Sequence, residues 1–530
     1  MKSLRPFVLA PLVLALVVAV GLAPTAQAEP AAVEEDWYVL LNGEDRMGYM
    51  HTTEATAENG DITTNQTTKI VMARGGTRLE IEVAQGFVES AEGEPIRASS
   101  SMSMGGLPMV TEVEFGEKAM KVSTGQAGRM QTTMKRPIEG DWLPPAAMGR
   151  YVEEQLEAGA ETIKVSTVDV ASGLQAVDMT MQVRGPEDVE VYGKVVPAIA
   201  WDATVSAMPG ITMREYVDAE GKSIKSTIDL MPGMKITVLQ ADKALALSEL
   251  TPAEMMAQTF VVPSRPIDRP RELRWAVYRL KTLDGQVISL PEVPMQWAQT
   301  QPDESVLLRT AVTSGDIKVR AKEWPRQPEP IDKDRYLKAT PILNFEDTAV
   351  RDWLVPLQWV RLTGGEESVA EFLREEVHRK IKAKDLSVGF ATASDVARTK
   401  QGDCTEHAVL LAALFRGAGI PSRCVSGLVY ADQFAGHEGI FGYHMWTQAW
   451  IENEQPKGAF GDGAGGFGVS GGEWIDFDAT LPDGVRFDAT HIALSVSDMN
   501  DGFVGNDMAA LIPLLGNLEI EVVETVYEED

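Results

Sequence analysis

The pattern of hydrophobic and polar positions changes along the chain. From Asp36 to about Gln240, apolar residues recur mostly at every second position, and turn signals such as Asn42-Gly43 interrupt them. A period of two is the spacing of a strand with one buried face, and pairs containing glycine are typical of hairpin turns. The pattern therefore predicts a large antiparallel β module over residues 30–250.

A weak internal repeat runs through this module. The segment from Val88 to Arg97 contains Ala-Glu-Gly and, after two further residues, Ile and a basic residue. The segment from Val217 to Lys225 contains the same order. Two copies are too few for a solenoid, so the repeat predicts two weakly similar halves within the β module.

Proline clusters mark the end of this pattern. They predict linkers and a small β segment over residues 251–340, with strands near Arg274 to Leu280 and Asp316 to Lys322, because proline disfavours helix. After Pro341, apolar residues recur at the spacing of an amphipathic helix. The helical set is Val369, Phe372, Leu373, Val377 and Ile381. The predicted fold class is therefore multidomain α+β, with the β module first and a mixed α+β domain after it.

The first 28 residues have the three-part pattern of a secretory signal peptide. Lys2 and Arg5 precede an apolar run from Phe7 to Leu22, and a small-residue cleavage site ends at Ala28. An uncleaved membrane anchor is the alternative, but Pro11 interrupts a run that is barely long enough to span a bilayer. We expect cleavage, export to the periplasm or the medium, and no membrane span in the mature protein.

Charge and cysteine content argue against a nucleic-acid-binding protein and against a fold that depends on disulfides. The chain has 530 residues, with 48 Lys+Arg against 78 Asp+Glu and a formal net charge of −30. An acidic chain without a Lys/Arg-rich block repels a phosphate backbone, so we expect no nucleic-acid partner. The only two cysteines are Cys404 and Cys424, and a chain of this length can bury cores without a disulfide framework.

Cys404 stands at the start of a predicted helix. Gly402 and Asp403 are helix start signals, and the residues after Cys404 are strong helix formers as far as Gly417. The unpaired N–H groups and the macrodipole at a helix N-terminus favour a thiolate over a thiol. Position alone therefore makes Cys404 a candidate nucleophile.

Two later strands carry a histidine and a carboxylate. The strand from Gly442 to Ile451 contains His444, and the strand that starts at Glu473 ends in Asp478. A helix that carries a cysteine, followed by strands that carry histidine and aspartate, can bring three distant groups together for thiol chemistry.

Four motifs in this region resemble, in order, those of the transglutaminase-like superfamily of papain-like cysteine enzymes. They are GDCTEHA at 402–408, RGAGIPSR at 416–423, YHMW at 443–446 and WIDFDAT at 474–480. The resemblance is specific because all four occur in the family's order, whereas a lone Gly-Asp-Cys would mean little. It implies a catalytic domain over residues 341–495, followed by a tail with a terminal strand over residues 496–530.

The resemblance also implies a role for each residue. Cys404 would be the nucleophile, His444 the general base and then acid, and Asp478 the carboxylate that orients the imidazole. Cys404 would attack an amide or peptide bond of a protein or peptide, and water or an amine would resolve the thioester. No cofactor or metal is expected, because the calcium dependence of some family members needs an oxygen-ligand loop that this sequence does not show.

Alternatives to these site residues stay open in the sequence. In an exported protein the two cysteines could form a disulfide, although the position of Cys424 in an apolar strand favours two free thiols. His407 and His437 compete as the base. Asp476 competes with Asp478, because it lies one strand period earlier and faces the same way.

A different class of function is also open. The protein could be an exported binding or assembly factor in which the β module binds a partner and the Cys-His-Asp triad is vestigial. The intact triad in the family's order favours the enzyme.

Overall fold

The computed structural model describes residues 33–312, 331–357, 365–382, 389–452, 472–500 and 511–527, apart from residues 106, 127, 172–173, 207, 209, 220, 232–233 and 255. These residues divide into two compact units. The first runs to Gln258 and includes Gly389 and residues 511–515. The second holds the remaining described residues from Thr259 onward.

The first unit is built on one large sheet. Its strands are β1 (Val33–Asn42), β2 (Asp45–Thr56), β3 (Ile62–Arg74), β4 (Thr77–Glu89), β5 (Pro95–Met104), β6 (Met109–Glu114), β7 (Met120–Gln126), β8 (Arg129–Lys135), β9 (Thr162–Asp169), β10 (Gln175–Val191), β11 (Lys194–Val205), β12 (Thr212–Val217), β13 (Ser223–Met231), β14 (Met234–Ala241) and β15 (Ala253–Glu254). The sheet order is β8-β7-β6-β5-β4-β3-β2-β1-β14-β13-β12-β11-β10-β9, with every pairing antiparallel except that of β15 with β3.

The two copies of the sequence repeat form equivalent hairpin turns. Between β4 and β5, the N–H of Gly93 donates to the carbonyl of Ser90 at 2.9 Å. Between β12 and β13, the N–H of Gly221 donates to the carbonyl of Asp218 at 3.0 Å. Both glycines have positive φ, 89° and 76°, which a residue with a Cβ rarely adopts. The repeat therefore encodes the same turn on either side of the β1–β14 pairing.

The described residues of the first unit also form two α-helices that the alternating pattern did not predict, α1 (Pro145–Glu157) and the short α2 (Lys243–Ala246). No side chain at the N-cap residue Pro144 caps α1. Instead, the buried carboxylate of Glu89 accepts a hydrogen bond from the N–H of Ala146 at 3.0 Å. A carboxylate in this place satisfies an unpaired donor and complements the helix dipole.

The second unit combines two sheets with helices. Its strands are β16 (Leu273–Thr282), β17 (Gln296–Thr300), β18 (Val306–Ala311), β19 (Ser422–Phe434), β20 (His437–Glu452), β21 (Gly472–Phe477), β22 (Ile492–Ser497) and β23 (Leu518–Tyr527), and its helices are α3 (Lys333–Leu337), α4 (Thr348–Leu354), α5 (Glu366–Lys380), α6 (Ala393–Thr399) and α7 (Cys404–Gly417). The sheet orders are β17-β18-β16-β23 and β21-β20-β19-β22, both antiparallel.

Helix α7 is the core of the second unit. All of its residues from Glu406 to Arg416 are buried, as expected for a helix that is apolar nearly all round. Two side chains of the adjoining sheet fix its position: the hydroxyl of Thr447 donates to the carbonyl of Ala408 at 3.0 Å, and the hydroxyl of Ser422 donates to that of Ala412 at 2.8 Å. These bonds hold the start of α7 at a fixed place beside β19 and β20.

The large antiparallel N-terminal sheet and the mixed C-terminal region confirm the predicted fold class. The strand expected at Arg274 to Leu280 lies within β16. The expected strand at Asp316 to Lys322 and the expected signal peptide, residues 1–28, lie outside the described residues. Among the helices that the structure describes, none is long and apolar enough to cross a bilayer. The domain boundaries stay predictions.

A buried acid in the first unit gives its stability a pH dependence. Glu215 of β12 is 1% exposed, and its two carboxylate oxygens accept hydrogen bonds from the hydroxyls of Ser223 and Ser226. Burial raises the pKa of Glu215 from 4.5 to about 7, although the two hydroxyls act in the opposite direction. The folded protein therefore keeps this proton in a range where the unfolded chain has lost it.

We expect the free energy of unfolding to fall as pH rises from about 4.5 to about 7, because unfolding releases the Glu215 proton in this range. Glu215→Gln should remove this component, which is at most about 3 kcal/mol. Urea unfolding at several pH values measures it, with Glu190→Gln, an exposed glutamate, as the matched control. An unchanged pH slope in Glu215→Gln would contradict the assignment.

Candidate active site

A capping box fixes the N-terminus of α7. The carboxylate of Asp403 accepts a hydrogen bond from the N–H of Thr405 at 2.9 Å, and the carboxylate of Glu406 accepts one from the N–H of Asp403 at 2.9 Å. Glu406 is fully buried, and this burial raises its pKa well above the usual range. The box holds Cys404 as the first residue of the helix.

Gly402 is required by the same arrangement. Its φ is +141°, a conformation that residues with a Cβ rarely adopt. A Cβ built at this position would lie 2.3 Å from both Cβ and Cγ of Glu406. The Gly-Asp-Cys order therefore has a local structural reason: the glycine makes room for the glutamate that closes the capping box.

The two cysteines lie in different environments. Both are free thiols, so the disulfide alternative is wrong. Cys404 is partly exposed, and its N–H belongs to the first turn of α7, where it has no partner within the helix. Cys424 is buried, with its Sγ 3.9 Å from the carbonyl oxygen of Ala408, and burial raises the pKa of this thiol to about 12. Only Cys404 is placed to react.

His444 of β20 lies between Cys404 and Asp478. Its Nε2 is 2.8 Å from Oδ2 of Asp478, and the side chain of Cys404 is close enough to the imidazole to affect its pKa. The side chain is only 9% exposed, and burial by itself would lower its pKa. The Asp478 carboxylate and the Cys404 thiol outweigh burial and raise the pKa of His444 to about 9. The structure thus brings the three predicted site residues together.

Asp478 follows the last residue of β21 and is a buried carboxylate with several donors. Its Oδ1 accepts hydrogen bonds from the N–H and the hydroxyl of Thr480, both at 2.7 Å. Its Oδ2 faces His444 and, at 3.4 Å, Nε2 of His491. Burial alone would raise the pKa of Asp478, but the two histidines hold it well below the usual range. Asp478 is therefore ionised at neutral pH.

Asp476, the alternative carboxylate, anchors an aromatic side chain. Its Oδ1 accepts hydrogen bonds from Nε1 of Trp446 at 2.9 Å and from Nε2 of Gln448 at 2.7 Å. The Trp446 ring is stacked on His444, with 6.2 Å between the ring centroids and 22° between the planes. Asp476 therefore fixes the Trp446 ring that packs against the imidazole, whereas Asp478 is the carboxylate that hydrogen-bonds the imidazole.

The two alternative histidines have other surroundings. His407 is buried in α7, and its Nδ1 lies 2.6 Å from the carbonyl oxygen of Asp403. His437 is exposed at the start of β20 and packs edge-on against Phe260, with 5.1 Å between the ring centroids. Of these three histidines, His444 is the one whose pKa responds to Cys404 and Asp478.

His491 is a site residue for which no role is predicted from the sequence. It is fully buried just before β22, in contact with Asp478. The donor atoms of His444, Asp478 and His491 lie within 4.8 Å of one another, a spacing that could admit a cation. Nε2 of each histidine also lies within hydrogen-bond distance of Oδ2 of Asp478, at 2.8 and 3.4 Å. The expected absence of a metal stays a prediction.

A thiol at a helix N-terminus, beside a histidine that a carboxylate holds, is the arrangement that papain-like cysteine enzymes use. The sequence comparison agrees with this class, because residues 361–479 match the family model of the transglutaminase-like superfamily. The predicted resemblance is confirmed, and the second unit carries a transglutaminase-like domain.

Comparisons with whole proteins give only distant similarities. No curated protein matches the sequence significantly. A "beta-barrel-like protein of domain of unknown function DUF1849" from Brucella abortus has 12% identity and a TM-score of 0.30, with 39% of this chain and 95% of that chain covered. A "putative cysteine protease" from Cytophaga hutchinsonii has 14% identity and a TM-score of 0.25, with 48% of this chain and 86% of that chain covered. Neither similarity is close enough to assign a function.

We expect Gly402→Ala to loosen the start of α7, because the new Cβ displaces Glu406. The free energy of unfolding should fall by about 1–3 kcal/mol, and alkylation of Cys404 by iodoacetamide should slow. Gly419→Ala is the matched control, since Gly419 follows the other end of the helix with φ +84° and open space around it. Gly419→Ala should keep the alkylation rate. A wild-type rate in Gly402→Ala would contradict the role of the capping box.

Proposed function

We propose that the protein is an exported transglutaminase-like cysteine enzyme that acts on amide or peptide bonds of proteins or peptides through a thioester on Cys404. The observation that carries the proposal is the placement of His444: its Nε2 lies 2.8 Å from Oδ2 of Asp478, and the neighbouring Cys404 side chain helps to raise its pKa. The family match over residues 361–479 supports it.

The two ring nitrogens of His444 have different partners. Because Nε2 of His444 faces Asp478, Nδ1 is the ring nitrogen left for Cys404 and for the substrate. The Cys404 sulfur attacks the amide carbon, and the carbonyl oxygen becomes an oxyanion to which the unpaired N–H of Cys404 can donate. His444 then gives its Nδ1 proton to the departing amine as the C–N bond breaks. The acyl group stays on Cys404 as a thioester.

The second half-reaction reverses the proton movement. His444 takes a proton from water or from an amine as that nucleophile attacks the thioester, and the Cys404 sulfur leaves. Asp478 keeps its charge throughout and holds the ring orientation. The raised pKa of His444 favours the imidazolium at neutral pH, which is the form that pairs with a thiolate.

The proposal also covers the acceptor of the acyl group and the cellular location of the protein. Hydrolysis and transfer to an amine share the acyl-enzyme, and we favour hydrolysis because bulk water competes unless the cleft excludes it. The pattern of residues 1–28 supports export to the periplasm or the medium. The acidic composition argues against a nucleic-acid partner.

Alkylation with iodoacetamide tests the site without knowledge of the substrate. At pH 7, Cys404 should be labelled rapidly, and His444→Ala should slow labelling by about tenfold or more, because the imidazolium partner is lost. Cys424→Ala is the control variant and should label at the wild-type rate, since Cys424 is buried. Peptide mass mapping separates the two thiols. An unreactive Cys404, or labelling indifferent to His444→Ala, would favour the non-catalytic binding protein.

Glutamine peptides distinguish the two reactions. The mature protein, incubated with a glutamine-containing peptide, should release ammonia or cleave the peptide, and Asp478→Asn should slow this reaction by about 10²–10⁴-fold. In the presence of a primary amine, a peptide–amine conjugate indicates transfer, whereas unchanged hydrolysis products indicate a protease or amidase. Equal turnover by the wild type and Cys404→Ala would contradict the proposal.

A further inference from the structure

The ring of His491 faces oxygen acceptors on both sides. Its Nδ1 lies 3.0 Å from the carbonyl oxygen and 3.4 Å from Oδ1 of Asp488, and its Nε2 lies 3.4 Å from Oδ2 of Asp478. A neutral imidazole has one N–H and one lone pair, so a neutral ring would set its lone pair against an oxygen. Only the imidazolium gives each of these contacts a proton. The geometry therefore indicates a buried cation at His491.

Asp488 supplies a matching negative charge on the far side of the ring. Its Oδ1 accepts hydrogen bonds from the N–H and the hydroxyl of Thr490, and its Oδ2 accepts one from Nη1 of Arg271 at 2.6 Å. Asp488 is fully buried. Three donors on one buried carboxylate favour its ionised form.

Aromatic rings fix the plane of His491. Phe487 is stacked on it, with 4.0 Å between the ring centroids and 27° between the planes. Trp446 meets it edge-on at 5.2 Å. The side chain is 0% exposed, so bulk water does not compete with Asp478 and Asp488 for its N–H groups. The contact with Asp478 is therefore part of a rigid cluster.

We propose that His491 is a positioning residue for the reaction: as a buried imidazolium held by Asp488, it fixes the Asp478 carboxylate and shares its charge with His444. The inference rests on the proposed function of Cys404, His444 and Asp478. It extends the series by two residues, in the order Cys404–His444–Asp478–His491–Asp488.

Sharing one carboxylate between two cations has a consequence for His444. The two imidazole centroids are 5.7 Å apart, so the charge on His491 opposes a second positive charge on His444. The negative charges of Asp478 and Asp488 offset this repulsion, whereas Arg271, bonded to Asp488, cancels part of the Asp488 charge. The nearby hydroxyl of Tyr278 donates to the carbonyl of Ala489 at 3.2 Å. Removal of the charge on His491 leaves Asp478 to His444 alone, which then holds its proton to higher pH.

The test is the pH profile of the Cys404 alkylation rate and of substrate turnover in His491→Gln. Glutamine keeps an N–H donor but carries no charge. The alkaline limb of the profile, where His444 loses its proton, should move up by about half a pH unit or more. The kcat should fall by about ten- to a hundredfold with little change in KM, because the Asp478 carboxylate loses its fixed position.

His378→Gln is the matched control. His378 of α5 places its Nδ1 3.2 Å from the carbonyl oxygen of Ala479, so this variant alters a histidine contact next to Asp478 without touching its carboxylate. It should keep the wild-type limb. Circular dichroism checks that His491→Gln is folded. If it is not, Asp488→Asn decides, because it removes the charge that holds the proton on His491 and should move the limb in the same direction.

The outcomes separate this inference from the proposed function. A folded His491→Gln, or Asp488→Asn in its place, that matches His378→Gln in the alkaline limb and in kcat overturns the role of His491. In that case, labelling of Cys404 that still depends on His444 leaves the proposed function standing. An unreactive Cys404 in the wild type overturns the proposed function itself.

Discussion

The buried charge of Asp478 is the constraint on which the site depends. A carboxylate removed from water is costly by several kcal/mol unless donors replace its hydration, and loss of one donor leaves that cost uncompensated. The donors come from three places in the chain: His444 on β20, Thr480 after β21 and His491 before β22. Satisfying one carboxylate therefore joins three segments and sets the imidazole at a fixed distance from α7.

The other half of the site is fixed by the start of α7. The capping box of Asp403 and Glu406 sets the first turn, and hydroxyls from β19 and β20 hold the helix against the sheet. The same helix also explains the contrast between the cysteines. Cys404 is partly exposed at its N-terminus, whereas Cys424 is buried on β19 and contacts the carbonyl of Ala408 in the second turn. The two residues are of the same type, so exposure to solvent and position relative to α7 determine which thiol can react.

Local signals account for what the sequence predicted well. Each of these signals lies within a short segment: the start of α7, the alternating strands and the four ordered motifs. The fold class and the proximity of Cys404, His444 and Asp478 could therefore be predicted from the sequence. Features that depend on distant partners were not. The cap of α1 comes from Glu89 on another element, and β23 near the C-terminus pairs with β16. His491 carries no local pattern of its own, and only its contact with Asp478 assigns it a task.

Trapping of the acyl-enzyme tests the central claim most directly. The protein is mixed with an activated acyl donor such as a p-nitrophenyl ester, quenched with acid within its first turnovers, and digested for peptide mass analysis. The account predicts an acyl group on the peptide that contains Cys404, lost in Cys404→Ala and formed slowly in His444→Ala, in which Cys404 lacks its neighbouring imidazole. An acyl group absent from Cys404, or equal acylation of Cys404 with and without His444, would contradict it.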